Sequence, residues 1–267
     1  MLDGDDVRWL GGDVQAAEPL VGGITSAMHA FTRDGRALVL RRIDRQPWLR
    51  HATELLEREA WVMDLLRDTP VPAPELVAVE PPRLLMTRLP GALNMACEDF
   101  DALARTLVTI HEVDARPREY QSWAAGKQPL SPLWERAIVA LDREPPPFSP
   151  CFLHRDFHLG NVLWEDGAVS GVCDWVETSY GPPDLDVAHC CTNLAMTHGG
   201  DAPERFRAAY RRAGGRLGDD PYWALLDAVG FLPGAVTRPP GPAWDRLEAY
   251  VATLLEPSSV RASSRRN

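Results

Sequence analysis

The chain contains no apolar run approaching the roughly 18 residues that a membrane-spanning helix needs. Its opening residues, Met1-Leu2-Asp3-Gly4-Asp5-Asp6, are acidic where a secretion signal would be basic. A membrane protein or an exported one is therefore not expected, and the cytoplasm is the expected compartment. Cysteine is scarce and unpatterned. Cys97, Cys151, Cys173, Cys190 and Cys191 make an odd number without a Cys-x-x-Cys or Cys/His metal spacing. That argues against a disulfide framework, and the adjacent Cys190-Cys191 would close only a strained bridge. Cys173, inside an apolar run, reads as a small buried hydrophobe. Basic charge is in deficit too: the net charge of -10 offers no basic face for nucleic acid. Such acidity suits a cationic small substrate but is also ordinary for solubility. No internal repeat is visible.

What is present is the composition of a globular protein, 45% hydrophobic and 25% charged. At 267 residues the chain is comfortable for two lobes sharing a cleft. Its densest chemistry runs from Phe152 to Trp175. Two short apolar runs flank His154-Arg155-Asp156-Phe157-His158-Leu159-Gly160-Asn161, and after a turn at Glu165-Asp166-Gly167 the second run delivers Asp174 at its far end. Asp156 and Asn161 stand five apart on one loop. Phosphoryl transfer needs a carboxylate to orient and deprotonate the attacking hydroxyl, together with hard oxygen ligands that hold magnesium against a triphosphate. Asp156 suits the first task, Asn161 and Asp174 the second. Asx residues also form ordinary turn bonds, but the His-Arg-Asp-x-x-x-x-Asn string followed by Asp-Trp at a strand end favours the chemical reading.

Upstream, Asp34-Gly35 between apolar runs signals a hairpin. Gly22-Gly23 ahead of it can form a loop whose backbone N–H groups, with the hydroxyls of Thr25 and Ser26, meet phosphates. The third strand ends in Arg41-Arg42 and offers no lysine. Its apolar Ala37 to Leu40 leave open which arginine faces inward; Arg41 is favoured, with Arg42 exposed, because a guanidinium grips phosphate oxygens with two donors. Thr53 to Arg67 has the amphipathic helical pattern, and Glu59 is the candidate partner of Arg41, with Glu54 and Glu57 equally available. Leu76 to Val79 and Arg83 to Thr87 form a closing hairpin around Pro81-Pro82. A hinge at Arg88 to Gly91 follows, with the backbone of Met86 to Arg88 placed at an adenine edge by chain order and the resemblance below.

Helices are expected at Phe100 to Val113, Leu133 to Leu141, Pro203 to Ala213, Pro221 to Val229 and Pro242 to Leu255. His111 reads as a packing or capping residue. Asp184 or Asp186 is expected to cap the helix after Gly181-Pro182-Pro183. The expected domains are residues 1–88, 89–256 and a disordered tail at 257–267.

Leu153 to Leu163, Cys173-Asp174-Trp175 and Gly181 to Asp186 together resemble the aminoglycoside phosphotransferase family, of protein-kinase-like fold. The resemblance implies an α+β, two-lobed fold: a small antiparallel-sheet lobe with one helix, and a larger, mainly helical lobe. It also implies ATP (or GTP) and Mg2+ between the lobes, and phosphorylation of a small-molecule hydroxyl. By position it makes Asp156 the catalytic base, Asn161 and Asp174 metal ligands and Arg41 the nucleotide-phosphate contact. His154 and Asp186 would support the catalytic loop. The departures are Arg41 in place of lysine and Arg155 where many relatives carry glycine. Glu177, Asp184 and Glu204 are candidates to meet the ammonium groups of an aminoglycoside. A housekeeping sugar or amino-alcohol kinase and a catalytically silent nucleotide-binding module are the alternatives, and a monomer or homodimer is expected.

Overall fold

The computed structural model describes residues 2–20, 25–234 and 238–256. The chain forms two compact units, Met1–Ala92 with Leu163–Val176, and Leu93–Val162 with Glu177–Asn267. It therefore passes between units three times, where a cut after residue 88 passes once. The tail 257–267 lies outside the described residues.

The first unit opens with a helix that the sequence reading did not anticipate, α1 (Gly4–Leu10). Asp3 caps it, accepting from the N–H groups of Asp5 and Asp6, while the Asp6 carboxylate reaches back to the Asp3 N–H. The signal is a capping box with aspartate in place of glutamate at its third position. A five-stranded antiparallel sheet follows, built from β1 (Val14–Leu20), β2 (Ala27–Arg33), β3 (Arg36–Arg42), β4 (Leu76–Glu80) and β5 (Arg83–Thr87), in the order β1-β2-β3-β5-β4. The β2–β3 loop is Asp34-Gly35, with φ of 50° and 78°. Positive φ at both central residues gives the turn whose twist matches the flanking strands.

Helix α2 (Ala52–Leu66) covers one face of this sheet. Its Leu56, Ala60 and Met63 join Ala30, Val39, Ile43, Leu84 and Met86 in one core. Burying a leucine or methionine of this kind stabilises the unit by about 1.5–3 kcal/mol. The opposite face carries Phe31, Leu38, Leu40 and Leu85 against Leu10 of α1. This alternation settles what the apolar run left open: Val39, Arg41 and Ile43 face α2, whereas Arg42 shares the α1 face. Arg42 is half-buried and ion-paired with Asp3 and Asp6.

β6 (Ala92–Leu93), β8 (Val162–Glu165) and β9 (Ala168–Val172) form a small sheet in the order β6-β8-β9. Gly91 (φ 87°) is required beside it, since a Cβ there would stand 2.5 Å from the Trp164 carbonyl oxygen.

The second unit contains α3 (Phe100–His111), α4 (Pro132–Val139), the antiparallel pair β7 (Cys151–Leu153) and β10 (Ser179–Gly181), α5 (Asp184–Thr197), α6 (Ala202–Arg212), α7 (Tyr222–Gly230) and α8 (Pro242–Leu254). α5 is the central helix and packs against α6, α7 and α8. Its Leu185, Val187, Ala188, Cys190, Cys191, Leu194 and Ala195 are all buried. A helix apolar nearly all round belongs inside. The expected cap is corrected here: Pro183 occupies the N-cap without a side-chain cap bond, and Asp184 and Asp186 lie in the first turn. Both acids are used by other parts of the unit. All five cysteines are free thiols. No helix among the described residues is long and apolar enough to cross a membrane.

Candidate functional site

The first unit gathers one cluster around Arg41. Its Nη1 donates to both Glu59 carboxylate oxygens at 2.8 and 3.0 Å and to Asp174 Oδ1 at 2.9 Å. Nη2 approaches the Thr25 hydroxyl at 3.4 Å. Sheet register aims Arg41 at α2, and Glu59 lies on the buried stripe of that helix, so Glu59 makes this bond rather than Glu54 or Glu57, which are exposed. Burial pushes the Glu59 carboxyl up, and the Arg41 guanidinium pulls it back. Removing one partner of such a buried pair costs about 3–5 kcal/mol, because the other charge is then stranded. Asp174 has φ 65°, left-handed backbone for a non-glycine residue, and its side chain stays 42% exposed. Its Oδ2 takes no part in the bond to Arg41. Arg41 Nε and Ser26 Oγ are buried and have no partner among the described residues. Gly22 and Gly23 lie outside the described residues.

Met86 is buried within β5 between Val39 and Leu76. The N–H groups of Thr87 and Arg88 donate to the carbonyls of Glu75 and Ala37, and the Arg88 guanidinium pairs with Glu18 at 3.1 Å. Those two donors are thus engaged within the sheet.

The second unit gathers the other cluster around Asp156. Asp186, in the first turn of α5, accepts from the backbone N–H of His154 at 2.8 Å and of Arg155 at 2.7 Å, and from His111 at 3.1 Å. Burial raises its carboxyl, but the bond and charge of His111 outweigh that and leave it below its ordinary value. One buried anion therefore holds the backbone that presents Asp156, and His111 supports it, a larger part than the packing or capping expected. His154 is buried, and its Nδ1 accepts from the Asp156 N–H at 3.2 Å. Arg155, with φ 71°, lays its guanidinium over Trp123, 4.2 Å from the ring centroid.

Each oxygen of Asp156 has its own donor. Asn161 Nδ2 donates to Oδ2 at 3.0 Å and to the Asp156 carbonyl at 2.9 Å, so the amide turns its oxygen away from Asp156. His189 Nε2 lies 2.9 Å from Oδ1, with His158 Nε2 at 3.5 Å. Burial raises the Asp156 carboxyl, but the bonds from His158 and His189 hold it well below the carboxylate range. His189 Nδ1 in turn faces Asp227 Oδ1 at 3.1 Å. Ligand-type atoms of Asp156, His158 and His189 lie within 4.8 Å of one another. Because both nitrogens of His189 already face carboxylates, the ring reads as a double donor rather than a metal ligand.

His189 and Asp227 were missed by the sequence reading. The available signal was Asp186, His189 and Asn193 at i, i+3 and i+7, one polar stripe on an otherwise apolar helix. The three acids proposed for an ammonium group each have a neighbour of their own among the described residues. Glu177 is paired with Arg118 at 2.5 Å, buried Asp184 accepts from the Gly218 N–H at 3.1 Å, and Glu204 on α6 lies near Arg207.

An antiparallel sheet unit with one long helix, and a mainly helical unit carrying a His-Arg-Asp loop, define a kinase-like α+β protein. The solved macrolide 2'-phosphotransferase MphH of Brachybacterium faecium has this fold, with a TM-score of 0.65 at 19% identity over 95% of this chain and 98% of that one. The solved amicoumacin kinase hAmiN, in complex with AMP-PNP, Ca2+ and Ami, aligns with a TM-score of 0.63 at 13% identity over 89% of this chain and 86% of that one. Residues 16–228 match the model of the phosphotransferase enzyme family, and the chain belongs to that family. Viomycin phosphotransferase of Streptomyces vinaceus is 33% identical over 142 residues, 41% of this chain. The chain spans about half the length of that relative (49%).

Proposed function

We propose that this chain is an ATP-dependent O-phosphotransferase that moves the γ-phosphate to a hydroxyl of a small molecule of antibiotic type. The observation that carries the reading is Asp156: an anion with one donor on each oxygen, on a loop whose backbone is held by buried Asp186. Oδ2, whose donor is Asn161, keeps a further lone pair for an acceptor hydroxyl, whereas Oδ1 is shared by His189 and the more distant His158. A carboxylate held this acidic is a weak base, so Asp156 works mainly by orienting the hydroxyl and receives its proton late. That matches a reaction in which positioning and electrostatics supply most of the rate.

Asn161, in the second unit, and Asp174, in the first, are each proposed as a magnesium ligand on the strength of the oxygen each leaves over within its own unit. The amide oxygen of Asn161 is left over by its bonds to Asp156, and Asp174 offers a carboxylate oxygen beyond its bond to Arg41. Both are the hard oxygen type that magnesium takes. Bound there, the ion would neutralise charge on the triphosphate. Arg41 is the proposed phosphate contact, together with Gly22, Gly23, Thr25 and Ser26 upstream in the sequence, and Met86 to Arg88 is the proposed adenine contact through backbone groups other than the Thr87 and Arg88 N–H donors, which the sheet already uses. The likeness to viomycin phosphotransferase supports an antibiotic acceptor. The solved kinase with AMP-PNP and Ca2+ supports ATP with a divalent ion. Glu177 and Glu204 are proposed to meet a cationic acceptor through carboxylate lone pairs beyond those facing Arg118 and Arg207.

A thermal-shift panel with ATP, magnesium and candidate acceptors, followed by ADP release, tests the reading. An acceptor that stabilises the protein and elicits ADP release supports it. Stabilisation by nucleotide with no ADP release for any acceptor contradicts it and leaves a silent nucleotide-binding module.

A further inference from the structure

The donor on Asp156 Oδ1 comes from outside the loop motif. His189 on α5 presents Nε2 to Asp156 at 2.9 Å and Nδ1 to Asp227 of α7 at 3.1 Å, and both His189 and Asp227 are buried. Asn193 Nδ2 also lies 3.2 Å from Nε2 but donates to the His189 carbonyl at 3.0 Å, so a ring with a carboxylate at each nitrogen donates at both and carries a positive charge. It is also fixed in place. Phe231 stacks on it with centroids 5.5 Å apart, and Trp123 meets it edge-on at 5.4 Å. Asp227 Oδ2 is buried without a partner among the described residues, a desolvation cost that a hydrophobic residue at 227 would avoid.

We propose that His189 and Asp227 form a charged positioning pair for Asp156, fixing the carboxylate orientation that receives the acceptor hydroxyl. The proposal rests on the reading of Asp156 as the acceptor-side carboxylate. His189 touches neither proposed metal ligand and acts only through Asp156, with Asp227 behind it to hold the ring's charge and tilt. Burial alone would strip the proton from His189, but Asp227 and Asp156 together hold its pKa at about 10. Without His189 the anion would keep only Asn161 on Oδ2 and the longer 3.5 Å approach of His158 on Oδ1, which leaves its orientation loose, and a misplacement near 1 Å is enough to lower a rate by about 10²-fold.

The test compares His189→Leu with His189→Gln, which keeps an N–H donor for Asp156. The expected result is kcat lower by about 10²-fold in the leucine variant and within about tenfold of wild type in the glutamine variant, with KM for magnesium-ATP and for acceptor changed less than about threefold. A leucine variant with kcat within about threefold of wild type overturns the proposal, as does a loss confined to KM or an equal loss in both variants. If His189→Leu shows no cooperative melting transition, Asp227→Asn decides: a fall in kcat supports the pair and an unchanged kcat overturns it. Ring 1H–15N spectra of the full chain provide a readout independent of any acceptor. The His189 Nε2–H resonance is expected to move in Asp156→Asn, and a resonance that does not move overturns the pair. A wild-type protein without transfer to any acceptor overturns the phosphotransferase reading instead, and the ring resonance then decides the pair by itself.

Discussion

Arg155 occupies left-handed backbone, φ 71°, where a side chain costs about 1–2 kcal/mol relative to glycine. Its guanidinium recovers about 0.5–2 kcal/mol by lying over Trp123. The two effects nearly cancel. Urea denaturation should therefore find Arg155→Gly within about 1 kcal/mol of wild type, while Arg155→Ala, which keeps the strain and loses the ring contact, falls about 1–2 kcal/mol below it. Equal stability of the two variants would contradict this balance. Arg41 behaves differently because its partner is buried. Arg41→Ala strands Glu59 and should cost about 3–5 kcal/mol, and Arg41→Met combined with Glu59→Leu should recover most of the loss. A thermal melt of the single and double variants checks this. A double variant no more stable than Arg41→Ala would show that the charges themselves carry the fold.

Among the elements, what the sequence revealed and what it hid follow from range. Asp156 and Asn161 lie five apart on one loop, and that short range brings the Asn161 amide onto Asp156 Oδ2. The Asp34-Gly35 hairpin was legible for the same reason. The inward face of β3 was not, because four consecutive apolar residues erase the period of two; only the packing of α2 on one face and α1 on the other decides it. His111, His189 and Asp227 come from α3, α5 and α7, brought together by helix packing that no local pattern encodes. Asp186 shows the consequence for stability. It gathers two backbone N–H groups and His111, so Asp186→Ala should lower unfolding free energy by about 3 kcal/mol or more, with Asp186→Asn losing less. An alanine variant within about 0.5 kcal/mol of wild type would mean that the loop is held by other contacts.

For the molecule as a whole, the buried histidine sets how stability responds to alkali. His189 is raised from an ordinary 6.5 to about 10 in the fold. The group binds its proton more tightly when folded, so its stabilisation is fully present below pH 6.5 and is lost as pH rises through about 10. Asp186, lowered in the fold, acts in the opposite sense: its contribution is present above its ordinary 3.8 and is lost as acid titrates it. Denaturation midpoints should thus decline between pH 7 and 10, and His189→Gln should flatten that decline; parallel curves for the two proteins would contradict the assignment. Arginine carries nearly all positive charge in this chain, since Lys127 is its single lysine and donates to the Leu232 carbonyl. The proposed phosphate contact is accordingly an arginine that keeps its charge across this pH range.

The central claim is that Asp156 serves the acceptor and not the nucleotide. Steady-state ADP release and magnesium-ATP binding, measured side by side on wild type and Asp156→Asn with an acceptor found in the panel, address it most directly. The expected result is kcat lower by about 10²–10⁴-fold with the magnesium-ATP dissociation constant changed less than about threefold. Near wild-type turnover, or a loss of magnesium-ATP binding with turnover preserved at saturation, would contradict it.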